Sequence, residues 1–278
     1  MPLHAFVASE GWLWIFQIAG RHGTAQYRPM TDLLALPTLI TITLVFLLAG
    51  TVKGIVGLGL PSVVIGLLGL IMLPAEAAAL MVLPSLLTNL WQSATGPSLT
   101  RLSQRLWPFL AAIVVGVLGI GALLPGHDHG WATNLLGIAL FAYALFGLSA
   151  SSWRIGEQAE GWLGGLAGIL TGGITAITGI AVMPTAPYLQ AIGLTRDDLV
   201  QALGLTFTIS TLALGGILLG GPLTASTATV SLVALLPAML GMRLGKWLRQ
   251  RIEARRFRGL FFMSLMLLGL HLALRGLG

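Results

Sequence analysis

Two long apolar stretches dominate the hydrophobic pattern of this 278-residue chain. Between residues 33 and 95 the only charged side chains are Lys53 and Glu76, and between residues 161 and 242 the only charged side chains are those of residues 196–198. A membrane-spanning helix needs about 20 predominantly apolar residues, so each stretch can cross a bilayer more than once. The pattern therefore predicts an all-α integral membrane protein that forms a polytopic helical bundle.

Two sets of five segments result when these stretches are divided at proline, glycine and charged residues. The first set lies at about 33–52, 61–73, 76–96, 107–124 and 131–150. The second set lies at about 160–178, 182–193, 197–218, 223–241 and 258–276. The second member of each set is too short to span without help, so we expect about 8–10 membrane segments with one broken helix pair in each half.

Glycine-rich polar interruptions separate the first and second segments of each set. Residues 49–61 read AGTVKGIVGLGLP, and residues 171–184 read TGGITAITGIAVMP. Lipid offers no water to unpaired backbone groups, so a break at membrane depth must be buried in protein or line a polar cavity. Broken helices at corresponding positions of two halves indicate the substrate site of a transporter.

Composition agrees with this class of protein. Hydrophobic residues make up 56% of the chain, charged residues make up 9%, and the mean hydropathy is +0.91. Seven of the fifteen basic residues fall within residues 243–258, so the net charge of +6 indicates a cytoplasmic membrane surface and anionic lipid rather than nucleic acid. The chain has no cysteine, which excludes disulfides and thiolate metal sites. Residues 1–30 lack the pattern of a signal peptide and predict an interfacial or peripheral segment.

The distribution of basic residues predicts how the segments are oriented. The basic segment at 243–258 and the pair Arg101 and Arg105 should both face the cytoplasm. The segments at 76–96 and 197–218 then run in opposite directions, as in an inverted repeat. We therefore expect a first transmembrane repeat at 31–152 and a second at 153–278.

Lys53 is the residue with the clearest chemical content, because it lies deep in an apolar stretch beside the first glycine break. A lysine near a helix end can also extend to the headgroups, but charges inside membranes usually face a polar pathway. Together with backbone N–H groups at the start of the next helix, it would form an anion site. Hydroxyl, amide and glycine positions in both halves complete the predicted substrate site, which consists of Lys53, Gly54, Gly57, Gly59, Ser62, Asn89, Gln92, Thr175, Thr178, Gly179, Thr206 and Ser210.

The acidic residues and histidines predict little chemistry of their own. Glu76 and the pair Asp197 and Asp198 lie where helices begin, which favours capping over proton coupling. Residues 127–129 read HDH in a short turn with no further ligand near them in sequence, so no metal site is predicted. We expect no cofactor and no catalytic residue.

With these residues in view, the chain resembles the sulfite exporter TauE/SafE family of bacterial membrane permeases. The resemblance rests on residues 49–59, on residues 83–92, which read LPSLLTNLWQ, and on the second glycine block through Gly179 and Pro184. It covers about residues 35–275. It implies transport of sulfite, a sulfonate or a related sulfur-containing or carboxylate anion across the inner membrane by a multi-pass permease.

Two other functions fit parts of the sequence. A membrane-embedded enzyme acting on a lipid or isoprenoid substrate would need acids or histidines clustered at one depth, whereas here they are scattered over the ends of segments. A passive anion channel would use the same residues as a carrier. The sequence leaves open which anion is carried, the direction of transport, the coupling ion and the oligomeric state.

Overall fold

The computed structural model describes residues 33, 35–123, 131–149, 154–219, 221–251 and 254–275, and the described residues form helices and no strand. The first half contains α1 (Leu36–Val56), α2 (Leu60–Leu68), α3 (Pro74–Ala94), α4 (Leu99–Leu123) and α5 (Ala132–Leu148). The second half contains α6 (Glu157–Thr178), α7 (Thr185–Ala191), α8 (Arg196–Leu218), α9 (Ala225–Arg249) and α10 (Ala254–Arg275). Six of these helices, namely α1, α4, α6, α8, α9 and α10, are long and apolar enough to cross a membrane. The predicted all-α membrane protein is confirmed.

Local sequence explains where several helices begin. Pro37, Pro61 and Pro74 each lie in a first turn, where the missing N–H of proline removes no helical hydrogen bond. The carboxylate of Glu76 accepts a hydrogen bond of 3.1 Å from the backbone N–H of Leu73, so the predicted capping role of this acid is confirmed.

The outer surface of α1 is apolar along its length. The exposed large side chains recur every four residues and form one stripe of Leu36, Ile40, Leu44 and Leu48. Such a stripe has no partner in the described part of the chain and suits contact with lipid tails.

Some predicted boundaries are wrong. The segment predicted to end at residue 52 continues to Val56, so Lys53 and Gly54 are helical and the first break is only residues 57–59. Helix α4 begins at Leu99 rather than at 107, and the predicted basic loop 243–258 is mostly helical because α9 continues to Arg249. Arginines can lie inside helix ends because their side chains contact partners on other helices or extend to the interface. The predicted interfacial segment 1–30 and the HDH turn lie outside the described residues.

Glycines allow α1 and α9 to pack in close contact. A methyl group added at Gly50 would overlap the backbone of Ala238, and one added at Gly54 would lie within 2.9 Å of the Cα of Gly245. The later residue of α1 contacts the later residue of α9, so the two helices run parallel. Close packing of small residues is a main source of helix association in membranes.

The same arrangement occurs between α4 and α6. A methyl group at Gly168 would lie 2.5 Å from the carbonyl oxygen of Phe109, and one at Gly172 would lie 2.8 Å from the Cα of Gly116. These two helices also run parallel. The fourth helix of each half therefore packs beside the first helix of the other half.

The third helices of the two halves cross at the centre of the bundle. Ser85 of α3 contacts Thr211 of α8, and eight residues later Ser93 accepts a hydrogen bond from Gln201 near the start of α8. Helices α3 and α8 are therefore antiparallel, and α5 and α10 are antiparallel as well. The third helices of the two halves therefore run in opposite directions, and so do the fifth helices.

Corresponding landmarks in the two halves share one separation in sequence. Gly57 and Gly179 end α1 and α6 with positive φ angles of 87° and 76°, and they are 122 residues apart. Leu73 and Thr195, the residues before α3 and α8, are separated by the same number of residues. By this register Thr175 is the counterpart of Lys53.

Candidate functional site

Lys53 lies in the last turn of α1, with only 5% of its surface exposed. Its ammonium Nζ donates to Thr88 Oγ1 at 3.0 Å and to Asn89 Oδ1 at 2.5 Å, both on α3. The hydroxyl of Thr88 donates to the carbonyl of Pro84 one turn earlier, which leaves its oxygen free to accept from the lysine. Two neutral oxygens thus hold the ammonium inside the bundle.

A chain of polar contacts continues from this lysine into the second half of the protein. Asn89 Nδ2 donates to Ser85 Oγ at 2.9 Å, and Ser85 Oγ lies 3.4 Å from Thr211 Oγ1 on α8. All of these side chains are buried. We call Lys53, Ser85, Thr88, Asn89 and Thr211 the lysine network.

Lys53 lies in the lysine network without an acidic partner among the described residues. Within the described part of the chain no carboxylate lies within 4.0 Å of Lys53, whose contacts are neutral. An ammonium has three N–H donors, and the two contacts use two of them. A buried charge at membrane depth is costly unless it is paired, so a small anion at the remaining N–H would stabilise the charged form of Lys53.

The first break lies next to this cation. Gly57 and Gly59 both have positive φ angles, of 87° and 101°, which side chains rarely adopt. A methyl group at Gly57 would meet open space, whereas one at Gly59 would lie 3.1 Å from the ring of Phe261. Ser62, three residues after Gly59, is buried and its hydroxyl has no hydrogen-bond partner among the described residues. The first break and the start of α2 therefore present the glycine backbone and the Ser62 hydroxyl beside Lys53 in sequence.

The predicted residues of the second break bond mainly to their own segment. Thr175 Oγ1 donates to the carbonyl of Thr171 at 2.7 Å, and Thr178 Oγ1 donates to that of Ile174 at 2.7 Å. A methyl group at Gly179 would lie 2.8 Å from Ala78 Cβ on α3. Asn89 is eleven residues further along α3 than Ala78, about 16 Å at the helical rise. Gly179 thus packs near the start of α3, whereas Lys53 contacts α3 near its end.

Three further predicted residues lie around the crossing of α3 and α8. Thr206 is buried and its hydroxyl has no partner within the described chain, while Ser210 donates to the carbonyl of Thr206. Gln92 donates to the carbonyl of Val200 and joins α3 to α8 near their ends. Gly54, predicted as part of the break, instead packs against α9.

Two ion pairs lie at the end of the bundle where α4, α6 and α8 begin. Arg101 contacts Asp198 at 2.6 Å, and Arg105 forms a two-pronged pair with Glu160, both distances being 2.7 Å. Arg105 also donates to the carbonyl of Ile192 after α7. A cavity of about 270 Å³ beside this pair is lined by side chains of α4, α6 and α7.

Sequence reasoning missed three members of the lysine network. Ser85 and Thr88 precede Asn89 by four residues and one residue, in the segment LPSLLTNLWQ. The i, i+4 spacing of Ser85 and Asn89 could have placed them on one helix face. Thr211 gives no such local signal, because its contact spans 126 residues.

Comparison with known proteins identifies the family. The family model described as sulfite exporter TauE/SafE matches residues 42–272, which includes both breaks and the whole lysine network. Separate comparisons with curated proteins and with solved structures gave no match. The matched region extends over most of the chain and agrees with the six membrane-spanning helices. The chain belongs to the TauE/SafE family of multi-pass membrane transporters for sulfur-containing anions.

Proposed function

We propose that this protein is an inner-membrane permease that carries a small anion, namely sulfite, a sulfonate or a related sulfur-containing or carboxylate anion, by alternating access. The anion binds at Lys53, beside the first break. The observation that carries the proposal is buried Lys53, which has no carboxylate partner among the described residues. A bound anion would supply the missing counter-charge.

Buried neutral groups in both halves suit such a ligand. The hydroxyls of Ser62 and Thr206 have no partner among the described residues, and each can donate to an anion oxygen if the site opens toward it. Backbone N–H groups at the first turn of α2 add donors that favour negative charge. A site with one cation and several neutral donors would bind the anion and could still release it, as a carrier must.

Pairing of the two halves supports alternating access. The first helix of each half packs on the fourth helix of the other, and the third helices cross antiparallel. We propose that this arrangement is an inverted repeat whose halves move against each other around the crossing of α3 and α8. This movement would open the anion site first to one side of the membrane and then to the other.

The transport proposal is tested with purified protein in binding and flux assays. Binding of sulfite, thiosulfate, 2-aminoethanesulfonate and acetate is measured by calorimetry, and flux is measured in proteoliposomes. Saturable flux that shows counterflow supports a carrier. Flux without saturation would support a channel, and absence of both binding and flux for all four anions would overturn the proposal.

The inverted topology is tested by labelling single cysteines, since the natural chain contains none. We expect cysteines at Ser103 and Gln250 to react from the cytoplasm and a cysteine at Gly221 to react from the opposite side. Reaction of Ser103 and Gln250 from opposite sides would contradict the inverted repeat.

A further inference from the structure

The side-chain amide of Asn89 has two possible orientations, and only one of them suits Lys53. With its Oδ1 toward the ammonium, the amide accepts a hydrogen bond from the lysine. Turned by half a rotation, it would place an N–H group against the cation. Lys53 can only donate, so it selects the orientation in which the amide oxygen faces it, and a contact at the amide nitrogen would hold the group there.

Ser85 makes that contact and anchors the amide nitrogen. Its Oγ lies 2.9 Å from Asn89 Nδ2 and accepts the amide N–H, so the other end of the amide faces Lys53. Ser85 is fully buried, so this contact lies inside the bundle. The serine hydroxyl thus acts on the lysine through the asparagine.

Thr211 extends the constraint into the second half of the protein. Its Oγ1 lies 3.4 Å from Ser85 Oγ, at the crossing of α3 and α8. Among the described residues this is the hydrogen-bonded path that connects the lysine network to the second half. A movement of α8 relative to α3 would act first on this contact and then, through Ser85 and Asn89, on Lys53.

We propose that Ser85 and Thr211 are positioning residues of the anion site, which fix the amide of Asn89 and thereby direct the free N–H of Lys53. The inference rests on the proposed function, because it assumes that Lys53 binds the anion. It adds that the affinity of the first-half site depends on a hydroxyl contributed by the second half. Neither Ser85 nor Thr211 needs to touch the substrate.

The test replaces each hydroxyl and compares it with a matched control on the same helix. Ser85→Ala is paired with Ser93→Ala, since the buried Ser93 hydroxyl donates only to the Leu90 carbonyl of its own helix. Thr211→Val is paired with Thr208→Val, whose buried hydroxyl donates to the Gly204 carbonyl. The probe is whichever of sulfite, thiosulfate, 2-aminoethanesulfonate and acetate binds the unaltered protein most tightly.

We expect Ser85→Ala to raise both Kd and KM about three- to tenfold, the range for one hydrogen bond, while kcat stays within about twofold. Thr211→Val should change Kd in the same direction by a smaller factor, and the two controls should leave it unchanged. Ser85→Thr keeps the hydroxyl and should restore most of the affinity. A role in stability alone would instead lower the unfolding temperature without separating KM from kcat.

Several outcomes overturn the inference, and they are distinct from failure of the proposed function. If Lys53→Met loses binding while Ser85→Ala keeps wild-type affinity, the positioning role is wrong and the anion site stands. If Ser85→Ala and Ser93→Ala weaken binding equally, or Ser85→Thr restores nothing, the effect is general packing and the inference is wrong. If the unaltered protein binds none of the four anions, the proposed function and this inference both fail.

Discussion

The two breaks have the same backbone plan and different chemistry. Each long helix ends at a glycine with positive φ, Gly57 in the first half and Gly179 in the second. Four residues before these glycines stand Lys53 and Thr175, respectively. The lysine extends across to another helix, whereas the threonine bonds to a carbonyl of its own segment. Backbone geometry is thus repeated in both halves, while the charge is present in one.

This difference indicates a division of roles between the halves. We propose that the first half, which contains Lys53, contributes most of the binding energy for an anion. The second half contributes helix packing and the Thr211 hydroxyl. We expect substitutions in the two breaks to have unequal effects, and three predictions make that comparison quantitative.

The largest effect is expected from the glycines of the first break. Gly59→Leu should abolish transport, because leucine is strained at a φ of 101° and its side chain would meet Phe261. Gly57→Leu meets open space, so its cost comes from the backbone alone, about 1–2 kcal/mol. Flux in proteoliposomes measures both variants. Gly119→Leu, at an exposed helical position with free space around it, is the control. Normal flux in both variants would show that the glycines of the first break serve only helix packing.

Asn89→Asp tests whether the unpaired charge is what binds the anion. The new carboxylate would lie beside Lys53 and act as an internal counter-ion, in direct competition with the substrate. We expect Kd to rise at least about tenfold, the equivalent of one charged hydrogen bond, with little loss of thermal stability. Calorimetric titration together with a thermal unfolding curve gives both quantities. Unchanged affinity in a folded variant would show that the anion does not depend on the free charge.

The smallest effect is expected from Thr175→Val in the second break. Valine keeps the shape of threonine, and the lost hydroxyl had bonded to the Thr171 carbonyl. Kd should rise by no more than about threefold, less than a full neutral hydrogen bond to the ligand would cause. The same titration used for Asn89→Asp measures it. A rise comparable to that of Asn89→Asp would mean that both breaks contact the anion directly and that the halves share the site.

Sequence patterns predicted those parts of the fold that depend on local chemistry. The apolar lengths, the glycine breaks and the capping role of Glu76 follow from rules that act within one or two helical turns. The end of α1 was predicted too early, because Gly54 was expected to break the helix. In the structure Gly54 packs closely on α9. That contact is long-range and has no signature in the segment itself.

The candidate site was likewise predictable only in part. Lys53 and Asn89 could be selected because a charge and an amide are rare within apolar helices. The start of α4 was predicted eight residues late because Arg101 and Arg105 suggested a loop. Their carboxylate partners lie on α8 and α6, far away in sequence. The contact between Ser85 and Thr211 could not be predicted for the same reason, since only the folded bundle brings α3 and α8 together.

The central claim is that Lys53 provides the charge that binds the anion, and the most direct test is the Kd of Lys53→Met. The control is Lys246→Met, which removes an exposed lysine at the end of α9. We expect Lys53→Met to weaken binding by roughly tenfold to over a hundredfold, because a charged hydrogen bond contributes about 1.5–3 kcal/mol. Lys53→Arg should recover only part of the loss, since the guanidinium is larger and differently shaped. Equal Kd values for Lys53→Met, Lys246→Met and the unaltered protein would contradict the account.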